Sequence, residues 1–128
     1  MIENEIPEEK RFTIVKQAES FTHAGRGIWI FLKSTHNARI HLLALIGTVL
    51  LGLYFGITRT EWVMLILTFG FVLVAEAFNT AIEIDIDLTS PGFHPYARDT
   101  KDVAAGAVLI SAITAVIVGL IIFVPYFV

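Results

Sequence analysis

Cysteine is absent from these 128 residues, which removes disulfides, thiolate nucleophiles and cysteine-based metal sites from consideration. Basic residues are few. Lys and Arg total nine against twelve Asp and Glu, a formal charge of −3; that is too little positive charge for a phosphate-binding face, so nucleic acid is excluded as a partner. Charge of either sign is scarce, at 16% of residues, whereas 55% are hydrophobic and the mean hydropathy is +0.73. Soluble domains carry about 25% charged residues, so the composition points to one integral-membrane domain. No Gly-x-x-x-x-Gly-Lys-Ser/Thr run occurs, which excludes a P-loop. The first residues also lack the basic start and apolar core of a secretory signal.

What is present falls into a simple order. Residues 1–9, with Glu3, Glu5, Glu8 and Glu9 around Pro7, read as a disordered acidic lead. Over 10–36, Ile14, Ala18, Phe21, Gly25, Ile28 and Leu32 recur at alternating spacings of four and three, the pattern of an amphipathic helix. With Lys16, Arg26, Lys33, Trp29 and Phe31 on it, such a helix suits the headgroup layer of a bilayer. A first apolar span is expected over 38–57, in which His41 is the sole His, Asp or Glu, and a second over 61–87, opened by Trp62 as an interface anchor. Pro91, Gly92 and Pro95 predict a loop over 88–100. The third span is expected over 101–127, with Ala104, Ala105, Gly106, Ala107 and Ser111 small enough for close helix approach. The predicted class is therefore an all-α membrane protein, an N-terminal surface helix followed by three transmembrane helices. Counted from the apolar stretches themselves, Ile40 to Ile57 and Val103 onward, every Lys and Arg except Arg59 lies before the first or between the second and third. By the positive-inside rule the N-terminus and the 88–100 loop are cytoplasmic, in a bacterial inner membrane.

The second span ends in Glu76-Ala77-Phe78-Asn79-Thr80-Ala81-Ile82-Glu83-Ile84-Asp85-Ile86-Asp87. At about 100° per residue, Glu76, Asn79, Glu83 and Asp87 share one stripe with Thr80 beside them, and Asp85 points the other way. Glu76 lies about 21 Å beyond Trp62, still within an apolar layer of about 30 Å, and Asp87 about 16 Å further on, near the headgroups. Ionisable groups at such depth face a partner or a wet cavity and mark function by default; a polar contact between packed helices is the plainer alternative.

Glu76 and Glu83, roughly 10 Å apart along the axis, are too distant to share a proton and suit separate tasks. The deeper Glu76 is placed as a general base. Glu83, nearer water, is a candidate ligand for Mg²⁺, a hard cation often shared with phosphates. Arg98 and Lys101, with Asp102, stand at the mouth of the third helix, where cations at a helix N-terminus make a phosphate site; alone, they would read as topology-setting charge. These are parts for phosphoryl transfer at a membrane surface. The competing readings are a non-enzymatic membrane protein, either an ion pathway lined by Glu76, Glu83 and Asp87 or a structural oligomer.

The 76–87 run resembles the Glu-x-x-Asn-Ser/Thr-Ala-Ile-Glu-x-x-x-Asp signature of the prokaryotic diacylglycerol kinase family. Lys101-Asp102-Val103-Ala104-Ala105-Gly106-Ala107-Val108-Leu109 is similar to its second hallmark, and Asn37-Ala38-Arg39-Ile40-His41-Leu42 to the start of its first span. The likeness extends over roughly Phe12 to Phe123. It implies a homotrimeric helical bundle with sites shared between subunits, moving the γ-phosphoryl of ATP onto a membrane lipid, diacylglycerol or undecaprenol, with Mg²⁺. Carried over by position, Glu76 is the catalytic base that meets the lipid, Asn79 helps hold the site, Glu83 binds metal, and Lys101 with Asp102 meets the nucleotide. His94 and His23 fall where the family touches ATP, and Lys16 where it carries a basic residue near the lipid. One departure stands out: the family usually places a second metal-binding Glu two residues before the Asn of the Asn-x-Arg-Ile-His run, and this chain has Thr35 there. A hydroxyl can ligate Mg²⁺ but brings no charge, so weaker metal binding, a substitute carboxylate or a weakened kinase-like module is expected.

Overall fold

A computed structural model describes residues 8–34 and 36–128 as four helices: α1 Glu8–Ser34, α2 His36–Phe55, α3 Arg59–Thr89 and α4 Pro95–Phe127. Two compact units divide the chain, Met1–Ser34 and Thr35–Val128. The first contributes α1 alone, where apolar Ile14, Val15, Phe21, Ile28 and Trp29 are all exposed. Glu8 and Glu9, assigned by sequence to the lead, are helical; residues 1–7 lie outside the described residues.

In the second unit, three helices are long and apolar enough to cross a membrane, and the protein is a multi-pass membrane protein. α2 ends at Gly56, whose φ of +62° is the left-handed conformation that glycine adopts without steric cost. Ile57 N–H then donates back to the Gly52 carbonyl at 3.2 Å, as expected of a helix C-terminus. The connection left between the two expected spans, residues 58–60, falls instead at residues 56–58. Thr58 is already the N-cap of α3, its hydroxyl accepting from Glu61 N–H while the Glu61 carboxylate accepts from Thr58 N–H. This capping box makes Arg59–Glu61 the first helical turn.

The expected 88–100 loop is also corrected. α3 continues to Thr89, and α4 begins at Pro95 with His94 as N-cap, its ring nitrogen accepting from Tyr96 N–H at 3.2 Å. Pro95 occupies the first turn, where its missing N–H costs nothing and its fixed φ favours the helix. A proline that sequence reading treats as a breaker is here a starter. The connection shrinks to residues 90–94.

α3 and α4 pack antiparallel. Tyr126 O–H donates to Glu61 Oε2 at 2.7 Å at one end, and Lys101 Nζ donates to Asp87 Oδ1 at the other. Equal steps inward from Glu61 and Tyr126 arrive at Glu76 and Ser111, both wholly buried. At the Glu61 end, Ile57, Leu65, Ile122 and Phe123 form an apolar core flanked by Phe55, Trp62, Val118 and Tyr126. α3 has 31 residues and α4 has 33, about 46 and 50 Å at 1.5 Å per residue, against an apolar layer of about 30 Å. The charges of 83–102 gather at the Asp87 end of the pair.

Candidate active site

The polar stripe of α3 holds, and its burial is graded. Glu76, Asn79 and Thr80 are buried, Glu83 is half-buried and Asp87 is exposed. Asp85, on the opposite side, is exposed as expected. The order follows from geometry: the stripe begins where α3 is enclosed by its neighbours and ends where the helix leaves them.

Each acid on the stripe has a different partner. Glu76 Oε1 lies 2.9 Å from His41 Nε2 of α2. An ionised carboxylate only accepts, so with Glu76 charged the imidazole Nε2–H is the donor. Glu83 Oε1 accepts from Asn79 Nδ2 at 3.3 Å, one turn away on the same helix. Asp87 pairs with Lys101 of α4. Thr80 spends its hydroxyl on the Glu76 carbonyl at 3.0 Å. Two oxygens remain buried and without a partner, Glu76 Oε2 and Asn79 Oδ1. An orphaned buried acceptor costs about 1–3 kcal/mol, and more where no water can reach it. Two such atoms within one turn mark a place made to receive something.

Beyond Asp87, a cavity of 310 Å³ opens at the α3–α4 connection, lined among others by Asp87, His94, Arg98, Lys101 and Asp102. The residues expected to meet a nucleotide are thus gathered, apart from His23. Arg98 sits over the Phe93 ring at 5.8 Å and pairs with Asp99 at 3.5 Å, both Arg98 and Asp99 side chains being well exposed. His94 is committed through one nitrogen to capping α4. His23 and Lys16 belong to α1 in the other unit, and Thr35 lies outside the described residues.

Mg²⁺ was tested against these side chains. Among the described residues no three His, Asp or Glu gather as a metal cage, but Mg²⁺ is ordinarily bound by one or two carboxylates together with waters and phosphates. Glu83, half-buried beside the unpartnered Asn79 Oδ1, supplies oxygen donors of that kind, so the residues fit.

His41 is the residue that sequence reasoning passed over. A signal for it existed: His41 and Glu76 stand almost equally far from the turn at Thr58, one on each arm of the α2–α3 hairpin. That places His41 level with the deepest acid of the second span.

Comparison with known proteins supplies the lineage. The model of the family described as prokaryotic diacylglycerol kinase matches residues 22–123. The chain belongs to the prokaryotic diacylglycerol kinase family. Among the relatives of this lipid kinase is the undecaprenol kinase of Bacillus subtilis, 39% identical over 107 residues, which are 84% of this chain and 87% of that one. The diacylglycerol kinase of Synechocystis is 37% identical over 78% of this chain and 58% of its own length. That of Helicobacter pylori strain 26695 is 34% identical over 84% and 82%. As a member of the diacylglycerol kinase family, the chain carries its polar stripe and basic helix mouth inside the matched region, and Lys16 alone of the expected site residues outside it.

Proposed function

We propose that this lipid kinase transfers the γ-phosphoryl group of ATP to the hydroxyl of a membrane lipid at the α3 polar stripe. The observation that carries the reading is the wholly buried Glu76 with one oxygen held by His41 and the other unpartnered. A lipid alcohol meeting Oε2 would give up its proton there as its oxygen bonds to the γ-phosphorus, while the bond from that phosphorus to the bridging oxygen breaks and ADP leaves. Lys101, Arg98, Asp102 and His94 line the cavity at the α3–α4 connection, about 16 Å along α3 from Glu76; the two cations would hold the phosphates, and Asp102 and His94 would orient the nucleotide, whose phosphate chain would reach along the stripe toward Glu76. Glu83 and Asn79 would hold Mg²⁺, whose charge offsets that of the phosphates. An ion pathway is not favoured, since the matching family and the relatives within it are kinases.

The acceptor is diacylglycerol or undecaprenol. The undecaprenol kinase likeness covers nearly the full length of that relative, which makes undecaprenol the first lipid to test. Purified protein is incubated with labelled ATP, Mg²⁺ and each lipid in turn, with Glu76→Gln as control. Labelled lipid from either alcohol, abolished in the variant, is expected; no labelled lipid from both would overturn the reading. Replacing Thr35→Glu is expected to lower the Mg²⁺ concentration needed for half-maximal rate, the effect of adding a carboxylate to the metal site.

Three finer elements belong to the same proposal. α1 lies in the cytoplasmic headgroup layer, with His23 serving ATP and Lys16 serving the lipid, so His23→Ala and Lys16→Ala should raise KM for their respective substrates. The α3–α4 connection faces the cytoplasm in a bacterial inner membrane. With no native cysteine, Ser90→Cys should resist a membrane-impermeant thiol reagent in whole cells, and Thr60→Cys should react. The protein assembles as a homotrimer, checked by its mass in detergent.

A further inference from the structure

The contact between His41 and Glu76 joins two helices at the reacting acid, and the proposed transfer gives His41 itself no task. We infer that His41 is a positioning residue for the phosphoryl transfer: its Nε2–H holds Glu76 Oε1 and so leaves Oε2 as the oxygen that receives the lipid hydroxyl's proton. This rests on the reading of Glu76 as the base.

Three observations carry it. Rotation of a Glu carboxylate about its last torsion is broad, so an unheld group would present either oxygen at many angles. The 2.9 Å contact removes that freedom. The donor comes from α2 while the acid stands on α3, so the base is referred to a second helix rather than to its own turn. Its neighbour Glu83 is held only within α3, by Asn79. Finally, the side chain holding Glu76 is an imidazole, 20% exposed against 1% for the carboxylate. An imidazole N–H can orient the acid without the obligatory positive charge that Lys101 brings to Asp87. A bond serving packing alone gives no reason for the second oxygen to stay buried and unpartnered.

The test uses the full chain purified in detergent, with His41→Leu, His41→Gln, His41→Asn, whose shorter side chain withdraws the N–H, and the double variant His41→Leu, Glu76→Gln. His41→Leu should lower kcat by on the order of 10- to 100-fold, the usual effect of removing an orienting partner, with KM for ATP and lipid within about twofold. His41→Gln keeps an N–H at similar reach and should restore most of the rate. The double variant should be no slower than Glu76→Gln alone, because two groups acting as one are not additive. Wild-type kcat in His41→Leu, or equal impairment of His41→Gln and His41→Leu, would overturn the inference. Should His41→Leu fail to assemble, the rate of His41→Gln and the infrared carboxylate band of Glu76, obtained by difference from Glu76→Gln, decide the matter: that band should shift in His41→Asn and stay in place in His41→Gln. No lipid phosphorylation by the wild-type enzyme would instead defeat the proposed function, and the infrared comparison would still show whether His41 holds the carboxylate.

Discussion

The two ends of the α3–α4 pair are built from the same helices and do opposite things. At the Glu61 end, Ile57, Leu65, Ile122 and Phe123 close into a core, and the polar atoms there are matched: Glu61 accepts from Thr58 N–H and from Tyr126 O–H. From the middle of α3 to the Asp87 end, two buried oxygens have no partner, a cavity opens, and the cations are exposed or half-exposed. One end has finished its bonding, and the other has left bonds to be made with something else. The difference teaches where stability and chemistry are divided along one helix pair: substitutions at the first end should move unfolding and spare turnover, and those at the second should do the reverse.

The sharpest way to break this division is Glu76→Gln. The amide is nearly the same size and its oxygen can still accept from His41, but it cannot take up a proton. We expect kcat to fall about 10²- to 10⁴-fold, the range for a general base, with the thermal midpoint unchanged or raised because a charge leaves the interior. An equal loss of stability would make Glu76 a packing residue and erase the contrast. Next in size, Lys101→Met should raise KM for ATP on the order of 10-fold, the worth of a charge-assisted hydrogen bond. It should leave unfolding nearly unmoved, because the Lys101–Asp87 pair is well exposed and such pairs add little.

The sequence made the Asp87 end more legible than the Glu61 end. Four polar residues on one stripe of an otherwise apolar run can be read by spacing alone, and so can a basic helix mouth. The partner of Glu76 could not be read that way, because His41 precedes it by a whole hairpin and pairing depends on depth counted from a turn. The helix boundaries are less legible. Thr58 and Glu61 look like a polar linker until the capping box makes them the first turn of α3, and Pro95 looks like a breaker until His94 caps the helix it begins. The core at the Glu61 end is the least legible part. In a span where nearly every residue is apolar, composition does not say which face meets protein and which meets lipid.

The other end of the comparison can be probed at Gly52, where a Cβ would lie 2.6 Å from the Trp62 ring. Gly52→Leu forces a large side chain against that ring, and overpacking of this kind costs about 1–3 kcal/mol. Circular dichroism melts should fall accordingly, while kcat per folded enzyme stays at the wild-type value. Loss of kcat at full folding would mean that the α2–α3 hairpin transmits its packing to His41 and Glu76.

The smallest effect expected is the most exacting test of the division. Tyr126→Phe deletes one hydroxyl and keeps the ring that stacks on Phe55 at 5.5 Å, so what is lost is the 2.7 Å bond to Glu61. Glu61 Oε2 retains Thr58 N–H as a donor and is left only partly unsatisfied. A neutral donor to a carboxylate is worth about 1 kcal/mol net, and the midpoint should drop by an amount of that order in detergent. Turnover should not change at all, because equal steps carry the α3–α4 register from this pair to Glu76 and Ser111, and the apolar core between them holds that register without the hydroxyl. If kcat falls with the midpoint, the register is set by the Tyr126 bond rather than by the core, and the two ends are one device.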